Sequence, residues 1–271
     1  MMERHGACAA ILILPALARR QKMNDTTHDL RGKQLDEVAR LVAAKVAPEQ
    51  RATLQAFVAR YFGQVDPEDL SERQPADLYG AALSHWNFAR KRDKGRPRVR
   101  VFNPTIVEHG WESTHTIVEI VNDDMPFLVD SVGMEVNRHG LTLHLIMHPI
   151  LAVERASDGT LAGLASDSSP DSSSRGALES FIHVEVDRIV DPAQMESLSA
   201  DLVRVLDDVR AAVGDWQPLV ARVRAIADEV RQSPPPLPAE ELSEGLAFLD
   251  WIADNHFTDR KSTRLNSSHR L

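Results

Sequence analysis

The stretch Thr116-Ile117-Val118-Glu119-Ile120-Val121-Asn122-Asp123-Asp124-Met125-Pro126-Phe127-Leu128-Val129-Asp130-Ser131-Val132 reads as a strand that turns sharply and runs straight into a helix. Thr116, Val118 and Ile120 alternate with Ile117, Glu119 and Val121, and the β-branched residues among them suit a pleated surface. Asn122, Asp123 and Asp124 end that alternation. Asp124 can cap a helix, and Pro126 suits a first helical turn, where a missing N–H costs nothing. Leu128, Val132 and Val136 then recur four residues apart, the spacing of one buried helix face. Such a junction aims backbone N–H groups at whatever lies before the helix, so it can hold a small anion or an amino-acid carboxylate. Asn122, Asp123, Asp124, Met125, Phe127 and Leu128 are therefore the candidate ligand-binding residues. A structural turn that serves domain docking is the competing reading.

Upstream, three amphipathic helices are expected. Leu35, Val38, Leu41, Val42 and Val46 share a face over 30–47. Leu54, Phe57, Val58, Tyr61 and Phe62 follow Pro48, and Gly63 closes that helix. Asp66-Pro67 opens a short turn, and a third helix over 75–92 carries Leu78, Tyr79, Leu83 and Trp86 inward. The basic run Arg90-Lys91-Arg92-Asp93-Lys94-Gly95-Arg96 reads as a solvated helix end favoured by the dipole, with an anion patch as the alternative. Residues 99–102 form a short strand stopped by Pro104, and His109-Gly110-Trp111 a turn.

Downstream of Gly140, residues 141–154 read as one long strand. Leu141, Leu143 and Leu145 face one way, and Thr142, His144, Ile146 and His148 the other; Pro149 marks an edge or a bulge. Residues 157–177 are rich in Ser, Asp and Gly and read as a surface hairpin loop. A strand over 181–188 alternates Ile182, Val184 and Val186 with His183, Glu185 and Asp187. Asp191-Pro192 opens a helix to Val213, ended by Gly214; another runs from 216 to 232. Ser233-Pro234-Pro235-Pro236-Leu237-Pro238 is a stiff linker before a last helix over 240–256.

Strand, helix, strand, strand, helix, flanked by further helices, is a ferredoxin-like α+β layout: an antiparallel sheet with two helices on one face. The usual fourth strand after the second helix is missing, so residues 99–102 are expected to supply it from the N-terminal side. The chain of 271 residues has 43% hydrophobic and 26% charged residues, ordinary for a globular protein. A net charge of −9 argues against nucleic acid as a partner, and a single cysteine, Cys8, leaves no internal disulfide and suggests a reducing, cytoplasmic setting. No apolar run is long enough to span a bilayer, so no membrane partner is expected. The apolar segment 7–18 weakly resembles a signal peptide, but Arg19-Arg20 follows at once. Translation from Met23 is the preferred reading.

Residues 121–131, with Tyr61-Phe62 and Asp77-Leu78-Tyr79 upstream and the ending Phe248-Leu249-Asp250-Trp251-Ile252-Ala253-Asp254-Asn255-His256-Phe257-Thr258, resemble the N-terminal ACT-like region of the large bacterial NAD-specific glutamate dehydrogenases. The resemblance implies an ACT-like domain over 96–232. It is preceded by a disordered or spurious stretch (1–29) and a helical segment (30–95). A linker (233–239), the first helix of a next domain (240–258) and a non-native tail (259–271) follow. It further implies a regulatory module with no catalysis of its own. The parent would be an NAD-dependent oxidoreductase of glutamate catabolism, with the rest of the enzyme, an amino-acid effector and a second copy as partners. Residues 259–269 resemble a translated sequencing-library adapter, so the gene model reads as truncated. ACT junctions usually carry glycine where Phe127 stands, so a phenyl ring is expected to fill that ligand pocket.

No G-x-G-x-x-G, P-loop, nucleophile elbow or H-E-x-x-H occurs, so neither catalytic nor cofactor-binding residues are assigned. His115, Glu119, His144, His148, His183, Glu185 and Asp187 share one strand parity and line the sheet face opposite the apolar one. A solvated face, or one that docks on another domain, is the preferred reading over metal binding, and no metal is assigned.

Overall fold

The computed structural model describes residues 31–71, 73–165 and 176–256. The expectations for 1–29, for the middle of the 157–177 loop and for 259–271 lie outside those residues. In chain order the elements are α1 (31–45), α2 (Pro48–Tyr61), α3 (Pro67–Ser71), α4 (Pro75–Ala89), β1 (Arg98–Phe102) and α5 (Ile106–His109). Then come β2 (Thr116–Asp123), α6 (Leu128–Arg138), β3 (Leu143–Met147), β4 (Ile150–Arg155), β5 (Leu161–Leu164) and β6 (Ala177–Val186). α7 (Pro192–Gln232), α8 (Ala239–Trp251) and a π-helical turn (Ile252–His256) close the chain.

The fold is α+β with an antiparallel sheet in the order β1-β2-β6-β4-β5. Residues 98–102 do supply the edge strand, pairing with β2 from Arg98↔Val121 to Phe102↔Ile117. The long central strand β6 pairs with β2 on one side. On its other side it pairs first with β4 and then with β3. The single strand expected over 141–154 is thus two, separated at His148 and Pro149. Proline has no N–H for the ladder, while its carbonyl still accepts from Phe181 N at 3.0 Å. A register shift between Leu143 and Leu145 also reverses the expected parity. Leu143 and Ile146 face one core, and Leu145 and Met147 the other. The expected 157–177 hairpin loop contains a strand that was not expected. A turn closed by Ala156 and Thr160 returns the chain as β5, and its Gly159 (φ 83°) leaves no room for a Cβ against the Arg92 carbonyl.

Both sheet faces are covered. On one face Val118, Ile120, Ile182, Val184 and Val186 pack against Leu128, Val132 and Val136 of α6 and Leu198, Leu202 and Leu206 of α7. These are the two helices of the expected layout. On the other face Val121, Leu145, Met147 and Phe181 share a core with Val38 and Val42 of α1, Phe57 and Tyr61 of α2 and Leu78 and Ala82 of α4. α7 runs unbroken for 41 residues through Gly214 and Pro218, where two helices were expected. Its far half is held by α8, where Arg231 pairs with Asp250, and by the π-helical turn, where Arg224 donates to the Ala253 carbonyl. Tertiary support outweighs the weak local propensity of a lone glycine. No described helix is long and apolar enough to cross a membrane.

The helix after β2 begins later than expected. Phe127, not Asp124, is the residue before its first turn, and Pro126 lies outside it. Phe127 is the one non-glycine residue with positive φ among the described residues, at 71°. It therefore adopts the glycine-like conformation that its position calls for, and its ring turns outward, 41% exposed, instead of filling a pocket. Phe127→Gly is expected to be stabilising by up to about 1.5 kcal/mol. Left-handed strain of roughly 1–2 kcal/mol is relieved, against about 0.4–1 kcal/mol of added unfolded-state entropy. Urea denaturation checks this; a loss above about 1 kcal/mol would show that burial of the ring outweighs its strain.

Candidate functional site

The junction 122–128 is closed by arginines from distant elements. Arg210 of α7 donates to Asn122 Oδ1 and Asp123 Oδ2, each at 2.6 Å. Arg92 Nη2 donates to Asp123 Oδ1 at 2.5 Å and to Glu179 Oε1 at 2.7 Å. Arg155 makes two further bonds to Glu179, at 2.6 and 2.8 Å. Burial pushes the Asp123 carboxyl up, but the hydrogen bonds from Arg92 and Arg210 outweigh it and hold the group below its ordinary value. Asp124 accepts from Ser180 Oγ at 2.7 Å, and that hydroxyl also meets His148 Nε2 at 2.8 Å. Met125 packs against the α6–α7 core, and Leu128 is buried in it. Asn122 Nδ2 is buried without a hydrogen-bond partner. The basic run at 90–96 is thus not wholly solvated. Arg92 is 2% exposed, and nothing in the local sequence separates it from its exposed neighbours.

The polar face of the sheet, expected to be solvated or to dock on another domain, is largely buried under helices of the same chain, α1, α2 and α4. Glu119 pairs with Arg100, whose Nη2 also donates to Ser84 Oγ at 2.8 Å. Glu185 takes a two-pronged pair from Arg73, and His115 Nδ1 stands 3.4 Å from it. Burial raises the Glu185 carboxyl, but hydrogen bonds from His183 and Arg73 carry it well below the usual range. His144, in the bulge, bonds Asp187 at 2.7 Å. The histidine at the centre is His85 of α4, which sequence reasoning missed although it sits on the stripe of Leu78 and Ala82. Its Nδ1 meets the Tyr61 hydroxyl at 2.9 Å, and its Nε2 donates to the Ile120 carbonyl at 3.2 Å.

Burial pushes the imidazole of His85 well below its ordinary value, and lowers His115 and His148 as well. The unfolded chain then takes up protons below about pH 6.5 that the folded chain refuses. Stability is expected to fall as pH drops from 7.5 to 5.5. His85 alone contributes up to about 1.4 kcal/mol per pH unit below its unfolded value. Urea midpoints across that range check this, and His85→Gln should flatten the slope.

Ligand atoms of His85, Glu119 and His183 lie within 4.8 Å of one another, and all three residues are buried. A second group, Glu135, His139 and Asp201, lies nearer the surface, with Arg138 bonded to both of its acids. Beside the first group, a cavity of about 550 Å³ opens between α3, α4, residues 111–115, β3 and β6. Arg73, Trp111, His115, His144, His183 and Glu185 are in its wall. Trp111 Nε1 is buried without a hydrogen-bond partner. The volume is that of a small-molecule site.

The family model described as glutamate dehydrogenase, ACT1 domain, matches residues 57–202. The chain is 41% identical over 228 residues to the NAD-specific glutamate dehydrogenase of Halomonas elongata, which covers 83% of the chain and 14% of that protein. It is 37% identical over 202 residues to the one from Pseudomonas aeruginosa, covering 74% of the chain and 12% of the relative. The one from Mycobacterium tuberculosis is 25% identical over 212 residues, covering 75% and 13%. The chain therefore spans about one-seventh of the length of these relatives. With a sheet, junction and helix pair of the expected kind and a family match over more than half its length, the chain belongs to the glutamate dehydrogenase ACT1 domain family.

Proposed function

We propose that the chain is a regulatory and structural module, without catalysis of its own, of an NAD-dependent glutamate dehydrogenase. The whole enzyme would deaminate glutamate oxidatively to 2-oxoglutarate in the cytoplasm, with NAD as its cofactor. The observation that supports a structural role is the stapled junction: the acids that were candidates for a ligand already hold Arg92 and Arg210. In this reading the remainder of the enzyme is the partner and the whole protein is a homo-oligomer. Residues 96–232 are the working domain, 233–239 a linker and 240–258 the start of the next unit. The purified chain, given glutamate and NAD, should form no NADH above the blank; any enzyme-dependent rate sinks the proposal.

A second reading, an amino-acid sensor, is favoured by the cavity, whose wall combines acids, Arg73 and the unpartnered indole N–H of Trp111. Calorimetry with a panel of amino acids separates the two. Saturable binding lost in Trp111→Phe puts an effector in the cavity. Binding lost in Asn122→Ala and Asp124→Ala puts it at the junction. No binding leaves the structural role.

A further inference from the structure

The geometry points to a divalent transition-metal site of the zinc type, formed by His85 of α4, Glu119 of β2 and His183 of β6. No short motif announces it, because the three residues come from three elements. β2 and β6 set Glu119 directly opposite His183 in register, and α4 lays His85 over that pair. All three are at most 1% exposed. Two histidines and a glutamate are a common protein ligand set for zinc.

The surrounding bonds leave two of the three ligand positions without a partner and the third, His85 Nδ1, held by the Tyr61 hydroxyl. His85 donates Nε2–H to the Ile120 carbonyl, so Nδ1 carries a lone pair. His183 Nε2 lies 3.6 Å from Glu185 Oε1, and its Nδ1 is buried with no hydrogen-bond partner. Glu119 gives Oε2 to Arg100, and its Oε1 is likewise buried with no partner. Imidazoles that ligate a metal ordinarily have their second nitrogen anchored on a carboxylate or a backbone carbonyl; His85 has that anchor in the Ile120 carbonyl, and His183 Nε2 faces the Glu185 carboxylate. Orphaned polar atoms on two of three clustered, buried residues call for a bound species. Tetrahedral zinc ligands stand roughly 3.4 Å apart, so loading draws these side chains together by about 1 Å and replaces the Tyr61–His85 hydrogen bond. His183 also lines the cavity, which provides the route for an ion.

The test is metal uptake by the intact chain, stripped with a chelator and then dialysed against Zn²⁺ or Co²⁺. The expected result is one retained ion per chain, a higher melting temperature and visible Co²⁺ absorption of the tetrahedral type. Glu119→Gln and His183→Ala should abolish all three. Glu185→Gln, which weakens the contact with His183 along with the pair to Arg73, should weaken affinity about 10–100-fold. A folded wild-type chain that retains neither metal overturns the proposal and assigns the orphaned atoms to a buried water. Undiminished uptake in a folded Glu119→Gln chain, or uptake lost on Asp201→Asn, overturns it too, by placing the ion elsewhere. Where Glu119→Gln or His183→Ala fails to fold, Asp201→Asn, which spares the buried group, decides between the two clusters.

Discussion

Glu179→Ala is expected to destabilise the fold by roughly 3–5 kcal/mol, the cost of leaving buried charge without its partner. The junction cluster holds three guanidiniums, Arg92, Arg155 and Arg210, against two carboxylates, Asp123 and Glu179. Removing Glu179, which is fully buried, leaves three cations around one acid. Removing Arg92 instead leaves two cations and two acids, each acid still paired: Asp123 with Arg210 and Glu179 with Arg155. Arg92→Leu should therefore cost clearly less than Glu179→Ala, even though Arg92 is the bridge between the acids. The double variant Arg92→Leu/Glu179→Leu should recover part of the loss, because an apolar pair carries no desolvation penalty. Chemical denaturation of the three variants checks the order. Equal losses for the two single variants would show that hydrogen-bond count, not charge balance, governs the cluster.

Phe57→Ala should cost about 3–5 kcal/mol, the range for truncating a fully buried phenylalanine. Phe57 of α2 is fully buried, and its ring centroid lies 5.1 Å from that of Tyr61, 4.9 Å from Trp86 and 5.6 Å from Phe181. Through Phe181 it joins the helical layer to the central strand. Its loss should therefore be felt as a loosening of α1–α4 over the sheet. Backbone amides of α2 and α4 should exchange hydrogen faster, while β2 and β6 stay protected until global unfolding. Phe57→Leu should cost distinctly less. A Phe57→Ala loss below about 1.5 kcal/mol would show that the layer collapses to fill the gap.

Much of the fold is legible in the residues. The β-branched alternation at 116–121 and 182–186 becomes the two central strands. The four-residue spacing of Leu128, Val132 and Val136 becomes the inner face of α6. The edge strand at 98–102 follows from counting strands. The family resemblance carried by residues 121–131, Tyr61-Phe62 and Asp77-Leu78-Tyr79 holds over the matched region, which reaches back into α2. The candidate site was less legible. Glu119, His183 and Glu185 were found by strand parity, but His85 came from another element, and only burial of the polar face brings it against them. Arg92 and Arg210 were hidden for the same reason: one lay in an ordinary basic run and the other on a helix flank.

By itself, then, the sequence determined what is periodic and local: the two central strands, the apolar faces of the main helices, the α+β class and the family. The tertiary structure alone decided the start of α6 at a left-handed Phe127, the bulge that reverses β3, the unbroken α7 and the partners of every buried charge. The physical reason is that periodicity reports which face of an element is apolar, whereas the cost of a charge or a strained residue depends on which surfaces meet. That meeting is settled by contacts between residues distant along the chain.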